Sequence, residues 1–297
     1  MIMKAEPVII IGAGPSGLAT AFQLKRYGIH PLIFERDKMG GLLVNANLVE
    51  NYPGFPTGIP GPELVNLFIR QAHNLNVMVT NEEIVSLAYD KGLFQASTRR
   101  RSYTSQVVVI ATGTKPLLIE GFHIPDNLSS RVYYEVYPLT KVEGKCVVIV
   151  GGGDAAFDYG LNLSKKNQVV ILNRADTTKC LPLLWERAQK VKAITYHAMT
   201  SISHIEDIPG EGILLNCRGP SGNLQLNADY LLVAIGREPQ MDCLSEGLRQ
   251  KAQELEKQEA LFMIGDVKNG IFRQTSIAVG DGGLAAMKIC RRLKENL

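Results

Sequence analysis

Two glycine-rich turns of the same design occur in this chain, each directly after a short apolar run that is typical of a buried strand. The first is Gly12-Ala13-Gly14-Pro15-Ser16-Gly17, and the second is Gly151-Gly152-Gly153-Asp154-Ala155-Ala156. In such a strand–turn–helix unit, the first glycine permits the tight turn and the second lets a pyrophosphate approach the backbone, while the third small residue lets the helix pack on the strand. Two such units predict a protein that holds two nucleotides and moves electrons between them.

Length, composition and charge limit the classes of function. A chain of 297 residues has room for two domains, and its net charge of +3 is too small to indicate a nucleic-acid partner. No apolar run reaches the roughly 18 residues that a membrane span needs. The segment from Met1 to Pro7 leads into the first strand without the pattern of a signal peptide. We therefore expect a cytoplasmic protein with no membrane span and no nucleic-acid partner.

The cysteines are few and scattered, and they form neither a C-x-x-C pair nor a metal-ligand pattern. They are Cys146, Cys180, Cys217, Cys243 and Cys290. An odd, dispersed set of cysteines is typical of buried thiols in a reducing compartment. The sequence therefore predicts no metal site.

The two halves of the chain repeat one plan. Each glycine turn is followed by a helical segment, a second strand and, further on, a buried strand that ends in another glycine turn, at residues 107–113 and 230–236. Glu35 ends the second strand of the first half, where a carboxylate can accept hydrogen bonds from an adenosine ribose. After Arg237-Glu238-Pro239 we expect only one strand, at 260–264, and a final helix over about 282–294. These are too little for a third domain.

The sequence thus predicts an α/β fold with two Rossmann-like dinucleotide-binding domains, the second inserted into the first. We expect a discontinuous first domain over 1–115 and 240–297 and a second domain over 118–237. The boundaries rest on the proline-containing segments Lys115-Pro116 and Arg237-Glu238-Pro239.

Seven motifs, in one order, resemble the flavoprotein disulfide reductase superfamily, and most closely its low-molecular-weight thioredoxin reductase branch. They are Gly12-Ala13-Gly14-Pro15-Ser16-Gly17 with Glu35, Gly40-Gly41-Leu42-Leu43, Glu50-Asn51-Tyr52-Pro53-Gly54-Phe55, Ala111-Thr112-Gly113, Gly151-Gly152-Gly153-Asp154, Gly265-Asp266 and Arg273-Gln274-Thr275. The resemblance implies FAD in the first domain and NADPH or NADH in the second. It also implies a homodimer.

The resemblance assigns a set of residues to each cofactor. For FAD they are Gly12, Ala13, Gly14, Pro15, Ser16, Gly17, Glu35, Arg36, Gly40, Gly41, Leu42, Leu43, Asn51, Ile84, Ala111, Thr112, Gly113, Gly265, Asp266, Arg273, Gln274 and Thr275. For the nicotinamide dinucleotide they are Gly151, Gly153, Asp154, Ala155, Ala156, Asn173, Arg174, Lys179, Ile235 and Gly236.

The choice between the two nicotinamide cofactors depends on the residues after the second strand of the second half. Related enzymes that use NADPH carry H-R-R-x-x-x-R there, and this chain offers Asn173, Arg174, Ala175 and Lys179. No acid stands at the strand tip to bind a ribose 2′-hydroxyl, which favours NADPH over NADH. A site that binds neither well is the remaining possibility.

The chain departs from thioredoxin reductases where they carry their redox C-x-x-C. The corresponding stretch, 132–138, contains no cysteine and includes Tyr134 and Glu135, which could face the flavin or serve in packing. Thioredoxin-reductase-like ferredoxin–NADP reductases, which the chain also resembles, lack the pair as well. No catalytic acid or base is expected, because the cofactor carries the chemistry.

The resemblance therefore implies an FAD-dependent oxidoreductase that takes hydride from NAD(P)H and passes electrons to an external acceptor. That acceptor could be ferredoxin or flavodoxin, a disulfide, a quinone or another oxidant, and a small redox protein is the possible protein partner. The alternative is a non-catalytic or protein-reduced flavoprotein, either a redox sensor or a complex subunit, with a degenerate nicotinamide site.

Overall fold

The computed structural model describes residues 6–119, 124–208, 210 and 212–295, so residues 1–5, on which part of the cytoplasmic expectation rests, lie outside the described residues. The described residues form two compact units. Unit 1 comprises those within Met1–Val44, Val49–Lys115 and Glu238–Leu297, and unit 2 comprises those within Asn45–Leu48 and Pro116–Arg237. The domain limits expected from the sequence stay a prediction.

The regular elements are numbered in chain order along the described residues. The strands are β1 (Ile9–Ile11), β2 (Leu32–Phe34), β3 (Val79–Thr80), β4 (Ser86–Asp90), β5 (Leu93–Ser97), β6 (Ser102–Ser105), β7 (Val108–Ile110), β8 (Thr114–Pro116), β9 (Val132–Tyr133), β10 (Cys146–Val150), β11 (Gln168–Leu172), β12 (Ile194–His197), β13 (Ser201–Ile208), β14 (Gly212–Gly219), β15 (Gly222–Ala228), β16 (Tyr230–Val233), β17 (Arg237–Pro239) and β18 (Leu261–Met263). The α-helices are α1 (Pro15–Arg26), α2 (Gly61–Asn74), α3 (Asp154–Leu163), α4 (Pro182–Gln189), α5 (Glu246–Lys257) and α6 (Thr275–Glu295).

Unit 1 is built on a parallel sheet in the order β18-β7-β1-β2-β3. The central strand is β1, where Ile10 pairs with Ile33 on one side and Val109 on the other. All residues of β1 and β7 are buried. Parallel sheets are covered on both faces, and this is why these strands are continuous apolar runs. Strands β4, β5 and β6 form a separate antiparallel sheet.

Unit 2 repeats this arrangement around its own glycine turn. Its parallel sheet has the order β12-β11-β10-β16-β9, and β10, the strand before the turn, is central. Ile149 pairs with Ile171 on one side and with Leu232 on the other. Strands β13, β14 and β15 form an antiparallel sheet. Both units thus show the α/β class that the sequence predicts.

The two segments that connect the units pair with each other. Strands β8 and β17 form a two-stranded sheet, and the Gln240 N–H donates to the Gly113 carbonyl at 3.0 Å. The Lys115 ammonium lies 2.8 Å from the Asp242 carboxylate and 3.4 Å from that of Glu238. The hydrogen bond to Asp242 raises the pKa of Lys115.

The structure corrects the sequence prediction in the last third of the chain. Helix α5 was not expected, although its start carries a recognisable cap, in which the Ser245 hydroxyl accepts a hydrogen bond from the Leu248 N–H at 3.3 Å. Helix α6 begins at Thr275 rather than near Gly282. Helix α5 belongs to unit 1.

The described residues contain neither a membrane-spanning helix nor a metal-binding cluster. None of the helices they form is both long and apolar enough to cross a membrane. Within the same residues, no group of three or more His, Cys, Asp or Glu side chains is placed to hold a metal ion.

Helices α1 and α6 of unit 1 approach closely at Gly282. A Cβ added there would lie 2.3 Å from the Ser16 carbonyl oxygen and 2.9 Å from the Ala19 Cβ, whereas one added at Gly283 would meet no atom within 4 Å. We expect Gly282→Ala to destabilise the protein by about 1–3 kcal/mol through overpacking. Gly283→Ala should be neutral or stabilising by up to about 1 kcal/mol through helix propensity.

Thermal unfolding of the two variants beside the wild type checks this expectation. A midpoint for Gly282→Ala that matches the midpoint for Gly283→Ala would show that the close approach of α1 and α6 does not constrain unit 1.

Candidate functional site

The three glycines of the first turn, in unit 1, have two kinds of surroundings. Gly12 has φ of +103°, and a Cβ there would lie 2.3 Å from the Ala111 carbonyl oxygen. A Cβ at Gly17 would lie 2.0 Å from the Gly12 carbonyl oxygen. By contrast, a Cβ at Gly14 would meet nothing within 4 Å. Gly12 and Gly17 are therefore required by the protein's own packing, and Gly14 faces open space at the start of α1.

The Glu35 carboxylate lies against this turn. Its Oε2 accepts a hydrogen bond from the Ala13 N–H at 2.8 Å, and its Oε1 accepts one from the Asp37 N–H at 3.0 Å. The carboxylate is thus held in place by the backbone at the end of β2, as the sequence position implies. Arg36, the next residue, is exposed.

The Gly40–Gly41 segment lies beside the same turn. The Gly40 N–H donates to the Ala13 carbonyl at 2.9 Å, and a Cβ at Gly41 would come within 3.3 Å of the Gly14 Cα. Leu43 is buried, and Leu42 is half-buried. The open space at Gly14 is therefore bordered by the Gly40–Gly41 segment.

The C-terminal part of the chain returns to the turn at Gly265. A Cβ there would lie 2.7 Å from the Ser16 hydroxyl oxygen. The Gly265 N–H donates to the Asp281 carboxylate at 3.0 Å, and the Asn269 amide donates to the same oxygen at 2.6 Å. Asp281 was not identified from the sequence. Its carboxylate fixes the positions of Gly265 and Asn269 by accepting these two hydrogen bonds.

The remaining expected FAD residues lie at several places in unit 1. Asn51 donates through its amide to the Gln274 Oε1 at 2.5 Å, which brings two of them together. The Thr112 hydroxyl donates to the Gln240 carbonyl at 2.6 Å. The Ile84 side chain is buried in the core of unit 1, so only its backbone can face a ligand.

The second glycine turn, in unit 2, repeats the pattern of the first. A Cβ at Gly151 would lie 2.4 Å from the Ala234 carbonyl oxygen, and φ there is +154°. A Cβ at Gly153 would meet nothing within 4 Å. Ala156 replaces the third glycine and is buried in the core of unit 2. The second turn therefore leaves the same open space at the start of its helix, α3.

The loop after β11 packs on this turn. The Lys179 N–H donates to the Gly152 carbonyl at 2.7 Å, and the Asp154 carboxylate accepts a hydrogen bond from the Leu181 N–H at 2.7 Å. Arg174 and Lys179 are both exposed. This loop therefore presents two cationic side chains beside the second glycine turn.

Asn173 has a structural task in the same loop. Its amide nitrogen donates to the Thr177 carbonyl and to the Tyr196 hydroxyl, both at 2.9 Å, and its Oδ1 accepts from the Ala175 N–H at 3.1 Å. The side chain is buried, and its amide is engaged on both sides. Its hydrogen bonds therefore stabilise the loop. Arg174 and Lys179 are the exposed cationic side chains of the loop that remain to contact a ligand.

Glu135 lies in a network inside unit 2 that the sequence did not reveal. Its Oε1 is 2.6 Å from the Arg237 guanidinium, and its Oε2 accepts a hydrogen bond from the Asn45 amide at 2.7 Å. The Asn45 Oδ1 in turn accepts from the Tyr137 N–H at 3.0 Å. Burial, and to a smaller extent the Glu135 carboxylate, raises the pKa of Tyr159 nearby. These partners are far apart in sequence, and no spacing pattern signals them.

The comparison with protein families decides the identity of this arrangement. The family described as "Pyridine nucleotide-disulphide oxidoreductase" matches residues 6–282. The chain belongs to this family.

Two relatives and one solved structure show the range of the similarity. The chain is 30% identical to NADPH-dependent thioredoxin reductase 3 of Arabidopsis thaliana, over 98% of this chain and 59% of that protein. It is 30% identical to the thioredoxin reductase of Chlamydia pneumoniae, over 94% of this chain and 96% of that protein. The crystal structure of T. acidophilum thioredoxin reductase has a TM-score of 0.83 at 25% identity and covers 97% of this chain and 98% of that one. The chain thus spans less than two thirds of the plant relative's length.

The thioredoxin reductases of this family use FAD and NADPH, and both glycine turns fit dinucleotides. At Gly14 and at Gly153 the space that a Cβ would enter is empty of protein atoms within 4 Å. Each of these glycines stands at the N-terminus of a helix, where free N–H groups and the helix dipole favour a pyrophosphate. The assignment of individual residues to either cofactor stays a proposal.

The five cysteines of this family member are free thiols. Burial raises the pKa of Cys146 and Cys243, and it raises the pKa of Cys217 to about 11. Such thiols stay protonated at neutral pH, and a protonated thiol is a poor nucleophile. The sequence pattern indicated buried thiols, and the structure shows Cys217 and Cys290 buried but Cys146, Cys180 and Cys243 half-buried.

Gly14 and Gly153 have room for a methyl group as far as the protein itself is concerned. A methyl group at Gly14 or at Gly153 enters space that the protein does not use, so neither Gly14→Ala nor Gly153→Ala should change the thermal unfolding midpoint of the apoprotein. Gly14→Ala should weaken FAD binding at least about tenfold, and Gly153→Ala should raise the KM for the nicotinamide cofactor by a similar factor.

Fluorescence titration with FAD and steady-state kinetics measure the two effects. Gly12→Ala is the matched control, since its clash with Ala111 should lower the stability of the protein itself. Unaltered affinities in both open-glycine variants would show that the cofactors lie elsewhere.

Proposed function

We propose that this protein is an FAD-dependent oxidoreductase that takes reducing equivalents from NAD(P)H and delivers them to an acceptor outside the chain, without an internal redox disulfide. Bound FAD would accept a hydride, which carries two electrons, and release the electrons to the acceptor. The single observation that carries the proposal is the pair of glycine turns with open space at Gly14 and Gly153.

The residues of unit 1 support a bound FAD by orienting it. The Glu35 carboxylate, held by the Ala13 and Asp37 N–H groups, stands where an adenosine ribose is expected. The Asn51–Gln274 pair and the Gly265 turn supply polar groups for the rest of the molecule. The protein's contribution is position and electrostatics, and hydride transfer depends strongly on position.

The stretch 132–138 supports electron delivery to an external acceptor. The redox C-x-x-C of thioredoxin reductases is absent from the sequence there. Glu135 instead makes an ion pair with Arg237 and accepts a hydrogen bond from Asn45. These contacts favour a structural role for Glu135 within unit 2.

The loop after β11 supports NADPH rather than NADH as the donor. Arg174 and Lys179 are exposed cations beside the second glycine turn, and a cation pair suits the 2′-phosphate of NADPH. Asn173 is neutral and engaged within the loop, so the strand tip offers no carboxylate for the 2′-hydroxyl of NADH.

The acceptor belongs to one of the classes that the sequence predicts: ferredoxin or flavodoxin, a disulfide, a quinone or another oxidant. The relatives named thioredoxin reductases make a small redox protein a reasonable partner. Thioredoxin is the weaker choice, because this chain has no cysteine pair to relay electrons to it.

The absence of a redox disulfide is tested by removing every thiol. We expect a variant with all five cysteines changed to alanine to bind FAD and to reduce ferricyanide with NADPH at a rate within about threefold of the wild type. The rate should persist because no thiol takes part in the transfer. The measurement is NADPH-dependent ferricyanide reduction, with FAD content determined on each sample.

A loss of more than about tenfold at full FAD occupancy would show that a cysteine carries electrons. If the wild type binds FAD but is reduced by neither nicotinamide, the alternative of a non-catalytic or protein-reduced flavoprotein holds instead.

We also propose a homodimer that forms through α6 of unit 1. This helix exposes an apolar stripe, in which Ile277 is 38%, Leu284 is 56% and Met287 is 57% exposed, and Phe272 just before the helix is 69% exposed. The spacing of the three helix residues places them on one side. Exposed apolar side chains grouped on one side of a helix are typical of an interaction site, and a second copy of the chain is the occupant we propose.

The dimer is tested by placing a charge on this stripe. Met287→Glu should weaken self-association at least about tenfold, since a buried unpaired carboxylate is costly at an interface. Met78→Glu, at a methionine 81% exposed in unit 1 but outside α6, is the matched control. Sedimentation velocity over a range of concentrations measures both variants, and equal association would contradict the proposed interface.

A further inference from the structure

A polar cavity of about 380 Å³ lies in unit 2, away from its glycine turn. Six of the residues that line it are Ser130, Arg131, Tyr133, Lys145, Asp229 and Tyr230. Small-molecule sites in proteins have volumes of roughly 300–1,000 Å³. The cavity therefore has the size of a ligand site, and the family's dinucleotide chemistry does not account for it.

The topology of the sheet explains why charged residues meet here. Strands β9, β10 and β16 are parallel, and β16 lies between the other two. Each is directly preceded by a charged residue, namely Arg131 before β9, Lys145 before β10 and Asp229 before β16. Parallel strands start at the same edge of a sheet, so the three charges are brought together.

The same topology separates this cavity from the second glycine turn. Lys145 precedes the first residue of β10, whereas Gly151 follows its last residue, Val150. A strand of five residues rises by about 3.3 Å per residue. The cavity and the turn therefore lie at opposite edges of the sheet, and a ligand in one does not occupy the other.

Asp229 is fully engaged within the cavity wall. Its Oδ1 lies 3.1 Å from the Lys145 ammonium, and its Oδ2 accepts a hydrogen bond from the Cys146 N–H at 2.9 Å. Burial acts to raise the pKa of Asp229, but these hydrogen bonds outweigh it and hold the pKa below its usual value. Asp229 is therefore anionic at neutral pH and offsets one positive charge.

Because of Arg131, the charged groups that line the cavity have a net positive charge. The Arg131 Nη1 donates to the backbone carbonyl of Asp229 at 3.2 Å, which is a neutral acceptor. With Asp229 offsetting one of the two cations, the charged groups that line the cavity sum to one positive charge. A guanidinium is a planar fork of donors that matches phosphate oxygens, and an ammonium adds a point charge beside it.

Two tyrosines complete the polar lining. The rings of Tyr133 and Tyr230 meet edge to face, with centroids 5.9 Å apart. Tyrosine hydroxyls and the Ser130 hydroxyl both donate and accept hydrogen bonds. They suit a ligand that carries hydroxyl groups beside its anionic end, and the volume is larger than an inorganic phosphate alone requires.

We propose that this cavity binds a small phosphate monoester with a hydroxylated body, such as a sugar phosphate. Its phosphate lies against Arg131 and Lys145, and its hydroxyl groups meet the tyrosines and Ser130. Binding involves no covalent step. The site is independent of the proposed oxidoreductase activity and of the dinucleotide positions.

Isothermal titration of the FAD-loaded protein with ribose 5-phosphate tests the proposal, with ribose and inorganic phosphate as separate arms. We expect saturable binding of the ester, tighter than that of inorganic phosphate, and no binding of ribose. Arg131→Gln and Lys145→Gln should each weaken binding at least about tenfold. Lys166→Gln removes an exposed cation of the same unit, which pairs with Glu143, and should leave binding unchanged.

A second experiment separates this site from the nicotinamide site. Saturating NADPH should not displace ribose 5-phosphate, and Arg174→Gln should not alter its affinity. Arg131→Lys keeps the charge and serves as the folded comparison if Arg131→Gln lowers the thermal midpoint. It should weaken binding less than the glutamine variant does.

Four results would overturn the proposal. The first three are the absence of saturable binding by the ester, equal weakening by Lys166→Gln and Arg131→Gln, and displacement by NADPH. The fourth is tighter binding of inorganic phosphate than of the ester, since the cavity would then be a general anion site. None of these results bears on FAD reduction, so the proposed function stands or fails separately.

Discussion

The close contact between each first glycine and a neighbouring strand organises both units. At Gly12 the backbone of the turn comes so near to the Ala111 carbonyl that a Cβ would lie 2.3 Å from its oxygen, and at Gly151 the corresponding distance to the Ala234 carbonyl oxygen is 2.4 Å. Both contacts join the end of a central strand to the end of the parallel strand beside it. They direct the following helix so that its N-terminus, and with it the next open glycine, faces free space.

The repetition of this contact accounts for the architecture. In each unit the strand before the turn is central, and parallel strands flank it on both sides. Because ligands of open α/β sheets bind beyond the carboxyl ends of the strands, the shared topology creates one dinucleotide position in each unit. The opposite edge of the unit 2 sheet, where the parallel strands begin, is not part of this dinucleotide position. There the residues that precede three parallel strands form a polar, net positive cavity.

Much of this arrangement follows from local sequence. The apolar runs and glycine turns predict β1 and β10, because burial on both faces and a tight turn leave few alternative structures. The position of the Glu35 carboxylate beside the first glycine turn follows from its place at the end of β2. The sequence prediction missed α5, whose only strong local signals are the Ser245 cap and two buried leucines. It also placed the start of α6 too late, since Gly280, Gly282 and Gly283 interrupt the helical pattern.

Contacts between residues that are far apart in sequence could not be predicted from local sequence patterns. Asn45, Glu135 and Arg237 form one network, and Asp281 anchors Gly265, yet nothing in the spacing of these residues distinguishes them from surface polar groups. Similarly, Asn173 follows the last residue of β11, and its side-chain amide is engaged by hydrogen bonds within the loop. Such roles depend on three-dimensional register, which a single sequence encodes only through the completed fold.

Electron transfer from a nicotinamide to bound FAD is tested most directly by anaerobic mixing of the purified, FAD-supplemented protein with NADPH and, separately, with NADH. We expect the protein to retain FAD after desalting and the visible absorbance of the oxidised flavin to be bleached, faster with NADPH than with NADH. We also expect an added external acceptor to restore the absorbance. A protein that retains no FAD, or a bound flavin that neither nicotinamide bleaches, would contradict this electron transfer.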